Sequence, residues 1–173
     1  MALYQTSVES LFIPENLVDL ESDWCAATNY LIHVNIHPNN PKYKKYNDNL
    51  IIGKSSIEND CYDSIVFCNR NAIKVKIPSF IKIIEDCAFE TCFFIQNIEI
   101  QENSQLQIIK SSAFYSSSIT KFTFPSHLTI IENGAFRMCS SLKYVEFPED
   151  SQLLNIEYDA FFHTAIEKFT ISC

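Results

Sequence analysis

An Ala-Phe pair returns four times in the second half of the chain, and this beat constrains the fold more than any other feature. The pairs are Ala88-Phe89, Ala113-Phe114, Ala135-Phe136 and Ala160-Phe161, spaced by 25, 22 and 25 residues. Long and short units alternate, so a 47-residue double period runs through the block. It relates Phe89 to Phe136, Phe114 to Phe161, Cys92 to Cys139 and Ile119 to Ile166. Self-similarity at such a period signals a solenoid, in which each unit stacks on the one before it.

The unit from Ile77 to Ile100 shows why. It opens on Ile77-Pro78 and carries apolar residues at Ile81, Ile84, Ala88, Phe89, Cys92 and Ile95. It closes on Asn97-Ile98-Glu99-Ile100, whose polar–apolar alternation is that of a half-buried strand. Ile119 to Phe124, Leu142 to Phe147 and Ile166 to Ile171 repeat that strand. From Asp86 to Cys92 the apolar residues step by three and four, which predicts one short helical turn. Pro78, Pro125 and Pro148 follow strands, and a residue with no backbone N–H ends ladder pairing there. Strand plus turn in about 23 residues is the outline of a leucine-rich repeat. The reading is an α/β horseshoe-like solenoid, with parallel strands on the concave face and short helical turns and loops on the convex face. A unit this short cannot bury its apolar side alone, so neighbours must share one core.

The rest of the chain falls in with this frame. Residues 1–12 are expected to cap the first unit. Residues 13–36 form a divergent unit. Leu17, Leu20, Trp24, Cys25, Leu31, Val34 and Ile36 follow Pro14 at the offsets that Ile81, Ile84, Ala88, Phe89, Ile95, Ile98 and Ile100 keep from Pro78. Residues 37–76 break the period. Pro38-Asn39-Asn40-Pro41 marks a turn. Asn49 to Gly53 and Asp63 to Phe67 read as a hairpin-like insertion around an exposed polar loop, Lys54 to Asp60. Residues 77–171 are the four regular units. No capping helix is expected after the last strand, and an open apolar end there would favour self-association.

Composition excludes several functions. A net charge of −8 argues against a nucleic-acid partner. Lys42, Lys44 and Lys45, beside Tyr43 and Tyr46, therefore read as a solvated strand face. The chain has only two glycines, too few for a phosphate loop or a dinucleotide fingerprint. Its seven cysteines lack paired spacings, so neither a disulfide framework nor a zinc site is expected. Cys92 and Cys139 share a slot with Ser117 and Thr164, which asks for a small buried side chain. Cys68 and Cys173 fall outside the repeat core and are expected to be accessible. His127 and His163 have no carboxylate or thiol at catalytic spacing, so no enzyme activity, cofactor or metal is predicted. The first ten residues do not read as a secretory signal, no apolar run spans a membrane, and no Asn-x-Ser/Thr sequon occurs.

The pattern Ile-Pro, then Ile, Ala-Phe, Cys and a final Ile-x-Ile resembles the BspA-like leucine-rich repeats, over residues 13–171. Ile77 to Ile100 and Phe124 to Phe147 match best. That family often has glycine after the isoleucine preceding Ala-Phe, where this chain has Glu85, Lys110, Glu132 and Glu157. The resemblance implies a binding module rather than an enzyme. It also implies a surface or secreted setting and adhesion to host or matrix proteins, whereas the absent signal favours an intracellular scaffold. Binding is expected on the outward residues of the strands: His33, Asn35, Lys74, Lys76, Asn97, Glu99, Lys121, Thr123, Tyr144, Glu146, Lys168 and Thr170. Tyr144 is the expected anchor, because interfaces favour tyrosine.

Overall fold

The computed structural model describes residues 3–171. Its strands are β1 (Ser10–Ile13), β2 (His33–Ile36), β3 (Tyr43–Lys45), β4 (Leu50–Gly53), β5 (Ser64–Cys68), β6 (Lys74–Ile77) and β7 (Ile83–Ile84). There follow β8 (Asn97–Ile100), β9 (Ile108–Ile109), β10 (Lys121–Thr123), β11 (Ile130–Ile131), β12 (Tyr144–Phe147), β13 (Asn155–Ile156) and β14 (Lys168–Ile171). Each regular unit feeds two sheets. Its alternating strand joins a parallel five-stranded sheet in the order β14-β12-β10-β8-β6. Its two-residue strand joins a second sheet, β13-β11-β9-β7-β5-β4-β3. The molecule is thus a parallel β-solenoid of leucine-rich-repeat type.

The third side of each unit is the Ala-Phe turn, and here the helical expectation fails: among the described residues there is no helix. Two residues per turn take left-handed backbone angles, Cys87 (φ 56°) and Thr91 (φ 54°) in one unit and Ser112 (φ 54°) and Ser116 (φ 55°) in the next. Gly134 and Met138, then Asp159 and His163, repeat the pair. A right-handed helix cannot pass through such residues. The turns bond to each other instead. Phe89 N donates to Ala113 O, Phe114 N to Ala135 O and Phe136 N to Ala160 O, each at 2.7 Å. The same pattern recurs at Asp23 (φ 60°) and Ala27 (φ 53°), which flank Trp24-Cys25 as the other pairs flank Ala-Phe. It also locates the demanding backbone positions. The left-handed residues stand just before alanine and three after it, not at Glu85, Lys110, Glu132 or Glu157.

The phenylalanines of the beat stack into one column. Ring centroids lie 4.8 Å apart for Phe89–Phe114, 4.8 Å for Phe114–Phe136 and 5.2 Å for Phe136–Phe161. Phe122 and Phe124 meet this column edge-on, at 5.1 Å and 5.6 Å from Phe136. Beside it run Cys92, Ser117 and Cys139, all buried. Ser117 Oγ and Cys139 Sγ lie 3.4 Å apart, and Cys139 Sγ donates to Phe114 O at 3.0 Å. The slot needs a small donor as well as small volume.

The hairpin-like segment is antiparallel. β4 pairs with both β3 and β5, and β5 turns to parallel pairing with β7. It divides the interior rather than protruding. Leu50, Ile52 and Ile65 face the main core, whereas Ile51, Val66 and Phe67 face a second core with Ile13, Trp24 and Leu31. That two-sided burial explains why β4 and β5, apart from Ser64, carry no polar side chain. The loop from Ser55 to Cys61 is exposed. Where the period breaks, Arg70 is buried. It donates to the carbonyls of Ala88 (2.9 Å), Cys87 (3.2 Å), Cys68 (3.3 Å) and Cys25 (3.3 Å). Cys68 is fully buried beside it, so the expectation of an accessible thiol there is overturned. Cys173 lies outside the described residues.

A candidate protein-binding face

The strand alternation sends one side-chain set inward and leaves the other outward. Val75, Ile98, Phe122 and Val145 are buried. Their neighbours Lys74, Lys76, Asn97, Glu99, Lys121, Thr123, Tyr144 and Lys168 are exposed, and Glu146 and Thr170 are half-exposed. The register sets the outward residues in two rows. Lys74, Asn97, Lys121, Tyr144 and Lys168 make the first; Lys76, Glu99, Thr123, Glu146 and Thr170 make the second. Five strands at about 4.8 Å span about 20 Å.

His33 and Asn35 do not belong to this face. They are exposed, but they sit on β2, which pairs only with β1 in a separate two-stranded sheet. The sequence period predicts six equivalent strands. The antiparallel segment interrupts the array after the first unit, so the face has five.

Much of the face's charge is neutralised internally. Lys76 Nζ lies 2.6 Å from Glu99, and Lys121 Nζ lies 2.9 Å from Glu146. Thr123 Oγ1 also donates to Glu146, at 3.3 Å. The Lys121 hydrogen bond holds the Glu146 carboxyl below its ordinary value. Lys74 and Lys168 form no ion pair among the described residues. Two shallow depressions lie along the face, one lined by Lys74, Lys76, Asn97 and Glu99, the other by Asn97, Glu99, Lys121 and Thr123. Tyr144 stands 42% exposed between Lys121 and Lys168.

Apolar exposure concentrates in the last turn. Ile156 and Phe169 are 38% and 43% exposed, although Ile131 and Val145, their counterparts one unit earlier, are fully buried. Leu154 and Tyr158 are exposed where the preceding unit has Thr129 and Asn133. Sequence reading alone does not separate these last two from core residues. No cluster of His, Cys, Asp or Glu suited to a metal occurs among the described residues, and they contain no helix long and apolar enough to cross a membrane.

Stacked turns, two parallel ladders and one apolar column define a leucine-rich-repeat solenoid. Residues 55–173 match the BspA type leucine rich repeat region in six copies. The chain belongs to that family. It is similar to a leucine-rich repeat protein of Eubacterium ventriosum, with 19% identity, a TM-score of 0.70, and coverage of 82% of this chain and 37% of the other. It is also similar to the pneumococcal vaccine antigen PcpA, with 16% identity, a TM-score of 0.54, and coverage of 95% and 47% respectively. The chain thus spans less than half the length of either structure. No curated protein matches it.

Proposed function

We propose that this chain is a non-enzymatic protein-binding module of surface or secreted adhesion type, and that it engages a host or matrix protein through the outward, concave side of its five-stranded sheet. The observation that carries this reading is the row around Tyr144. A rigid parallel sheet, locked from behind by a continuous apolar core, holds an aromatic side chain and unpaired lysines outward in fixed register. Preorganised aromatic anchors of this kind are typical interface hot spots. Family membership supports the same role, and a pneumococcal vaccine antigen shares the fold.

The test is binding of the purified chain to a panel of immobilised matrix proteins, with Tyr144→Arg as the face variant. Binding that falls at least about tenfold in the variant supports the reading. Binding unchanged by Tyr144→Arg, or no binding to any member, removes it. A second reading, an intracellular scaffold, is favoured by the free thiols of Cys25, Cys68, Cys87, Cys92 and Cys139, all buried in the interior. Protease added to intact cells separates the two. Loss of the chain supports the surface setting, and protection supports the scaffold.

A further inference from the structure

The first row of the face has a charge pattern of its own. Lysine occupies every second strand, at Lys74, Lys121 and Lys168, with Asn97 and Tyr144 between. No carboxylate lies in this row. The face as a whole carries four lysines (74, 76, 121, 168) against two glutamates (99, 146), a net of +2, on a chain whose net charge is −8. The glutamates are held by Lys76 and Lys121. Lys143, at the edge of the face, is likewise paired, with Glu167 at 3.0 Å. The cations left over are Lys74 and Lys168, at the two ends of the row.

Lysines two strands apart are about 9.6 Å apart. A polyproline-type segment repeats its side-chain direction every three residues, over about 9.3 Å. The two repeats agree within a few tenths of an ångström. Resting on the binding reading above, we propose that the row around Tyr144 takes an extended acidic segment of its partner, laid across the strands, with carboxylates at every third residue. Each carboxylate meets one lysine. The residues between lie against Tyr144, as extended proline-rich segments lie on aromatic rings. Glu146 serves as a switchable partner of Lys121: an incoming carboxylate shares that lysine while Thr123 continues to donate to Glu146. On a chain that is acidic overall, a carboxylate-free row of lysines confers register and selectivity more than raw affinity.

The experiment uses the full chain and labelled peptides, read by fluorescence anisotropy. A Glu-Pro-Pro repeat peptide is compared with a Lys-Pro-Pro repeat and with a peptide of identical composition whose glutamates are contiguous. The Glu-Pro-Pro repeat is expected to bind at least about tenfold more tightly than either, and to weaken between about 50 mM and about 200 mM salt. Lys74→Glu with Lys168→Glu should weaken it at least about tenfold, whereas Lys42→Glu with Lys44→Glu should leave it within about twofold. All four side chains are exposed or half-exposed, and circular dichroism checks that each variant is folded. Equal binding of the acidic and basic repeats, or indifference to the Lys74/Lys168 reversal, overturns the proposal. If matrix proteins still bind in a Tyr144-dependent manner in that case, the binding reading stands and only its acidic ligand falls. If neither peptide nor matrix protein binds through the face, both fall.

Discussion

Arg70 Nη2 donates to the carbonyl oxygen of Cys25 at 3.3 Å, joining residues 45 apart in sequence. The same guanidinium reaches Cys87, Ala88 and Cys68, so one side chain ties the divergent first unit to the regular array across the irregular segment. It stands where the turn-to-turn backbone ladder is interrupted. Arg70→Met removes these donors, although the carbonyls of Ala88, Cys87 and Cys25 keep one each from Cys68 N, Glu90 N and Thr28 Oγ1, and should cost about 1–3 kcal/mol in urea unfolding. Arg70→Lys should recover little, because an ammonium cannot span a planar fork. A loss below about 1 kcal/mol for Arg70→Met would show that the guanidinium does not hold the two parts together.

The aromatic column gives a second test. Phe136 is fully buried and stacked on both sides, whereas Phe161 is half-buried near the end. Phe136→Ala should cost about 3–5 kcal/mol and Phe161→Ala clearly less, by denaturant midpoints. Equal losses would mean that the column does not transmit stability as a shared core.

Much of this architecture is legible in the sequence, and the gaps have physical causes. Alternation in Asn97-Ile98-Glu99-Ile100 and its copies is long enough to show period two, so the five-stranded sheet is readable. Ile83–Ile84, Ile108–Ile109 and Ile130–Ile131 are two residues long and show no period, so the second sheet is not. The Ala-Phe turn imitates helical spacing, and nothing in its composition announces left-handed angles except Gly134. The outward residues of β6, β8, β10, β12 and β14 are readable from their alternation, whereas the separation of His33 and Asn35 on β2 is not. Nor is the internal neutralisation of the face, because Lys76 and Glu99 are 23 residues apart and meet only through the strand register.

The two glycines resist replacement for different reasons. A Cβ on Gly53 would lie 2.7 Å from Val66 Cγ2 and 3.1 Å from the Tyr43 ring, so Gly53→Ala should overpack the second core and cost about 1–3 kcal/mol. Gly134 has room, but its φ of 61° makes Gly134→Ala cost about 1 kcal/mol. Thr91 is the converse case: β-branched, at φ 54°, with a buried Oγ1 that has no partner. Thr91→Gly should raise stability by about 0.5–1 kcal/mol. Thermal unfolding of the three variants decides, and a destabilised Thr91→Gly would refute the strain argument.

Glu90 supplies a pH signature. Removal from water raises its pKa above the ordinary 4.5, against the opposing hydrogen bonds of Ala27 N–H and Cys87 and the charge of Arg70; Asp23 adds to the rise. The folded state therefore holds this proton more tightly than the unfolded state. Its contribution is full below the ordinary carboxylate value and is lost as pH rises through the raised one. Wild-type stability should fall across that window, and Glu90→Gln should remove that part of the fall. Asp86, also raised by burial, remains in the variant and leaves a residual slope. Urea midpoints in a pH series test this. Parallel profiles for the two proteins would show that Glu90 does not titrate there.

The register of the two ladders has a consequence for how such a chain changes length. Excising or copying 47 residues joins a long unit and a short one, returning Phe89 to the place of Phe136 and Cys92 to that of Cys139. The phenylalanine column and the alternation of cysteine with serine or threonine beside it then keep their order, and the ends move by about 9.6 Å. Excising 22 or 25 residues instead sets a cysteine slot against another cysteine or a serine against a threonine. Gain or loss of paired turns by unequal recombination therefore preserves the aromatic column and the slot beside it.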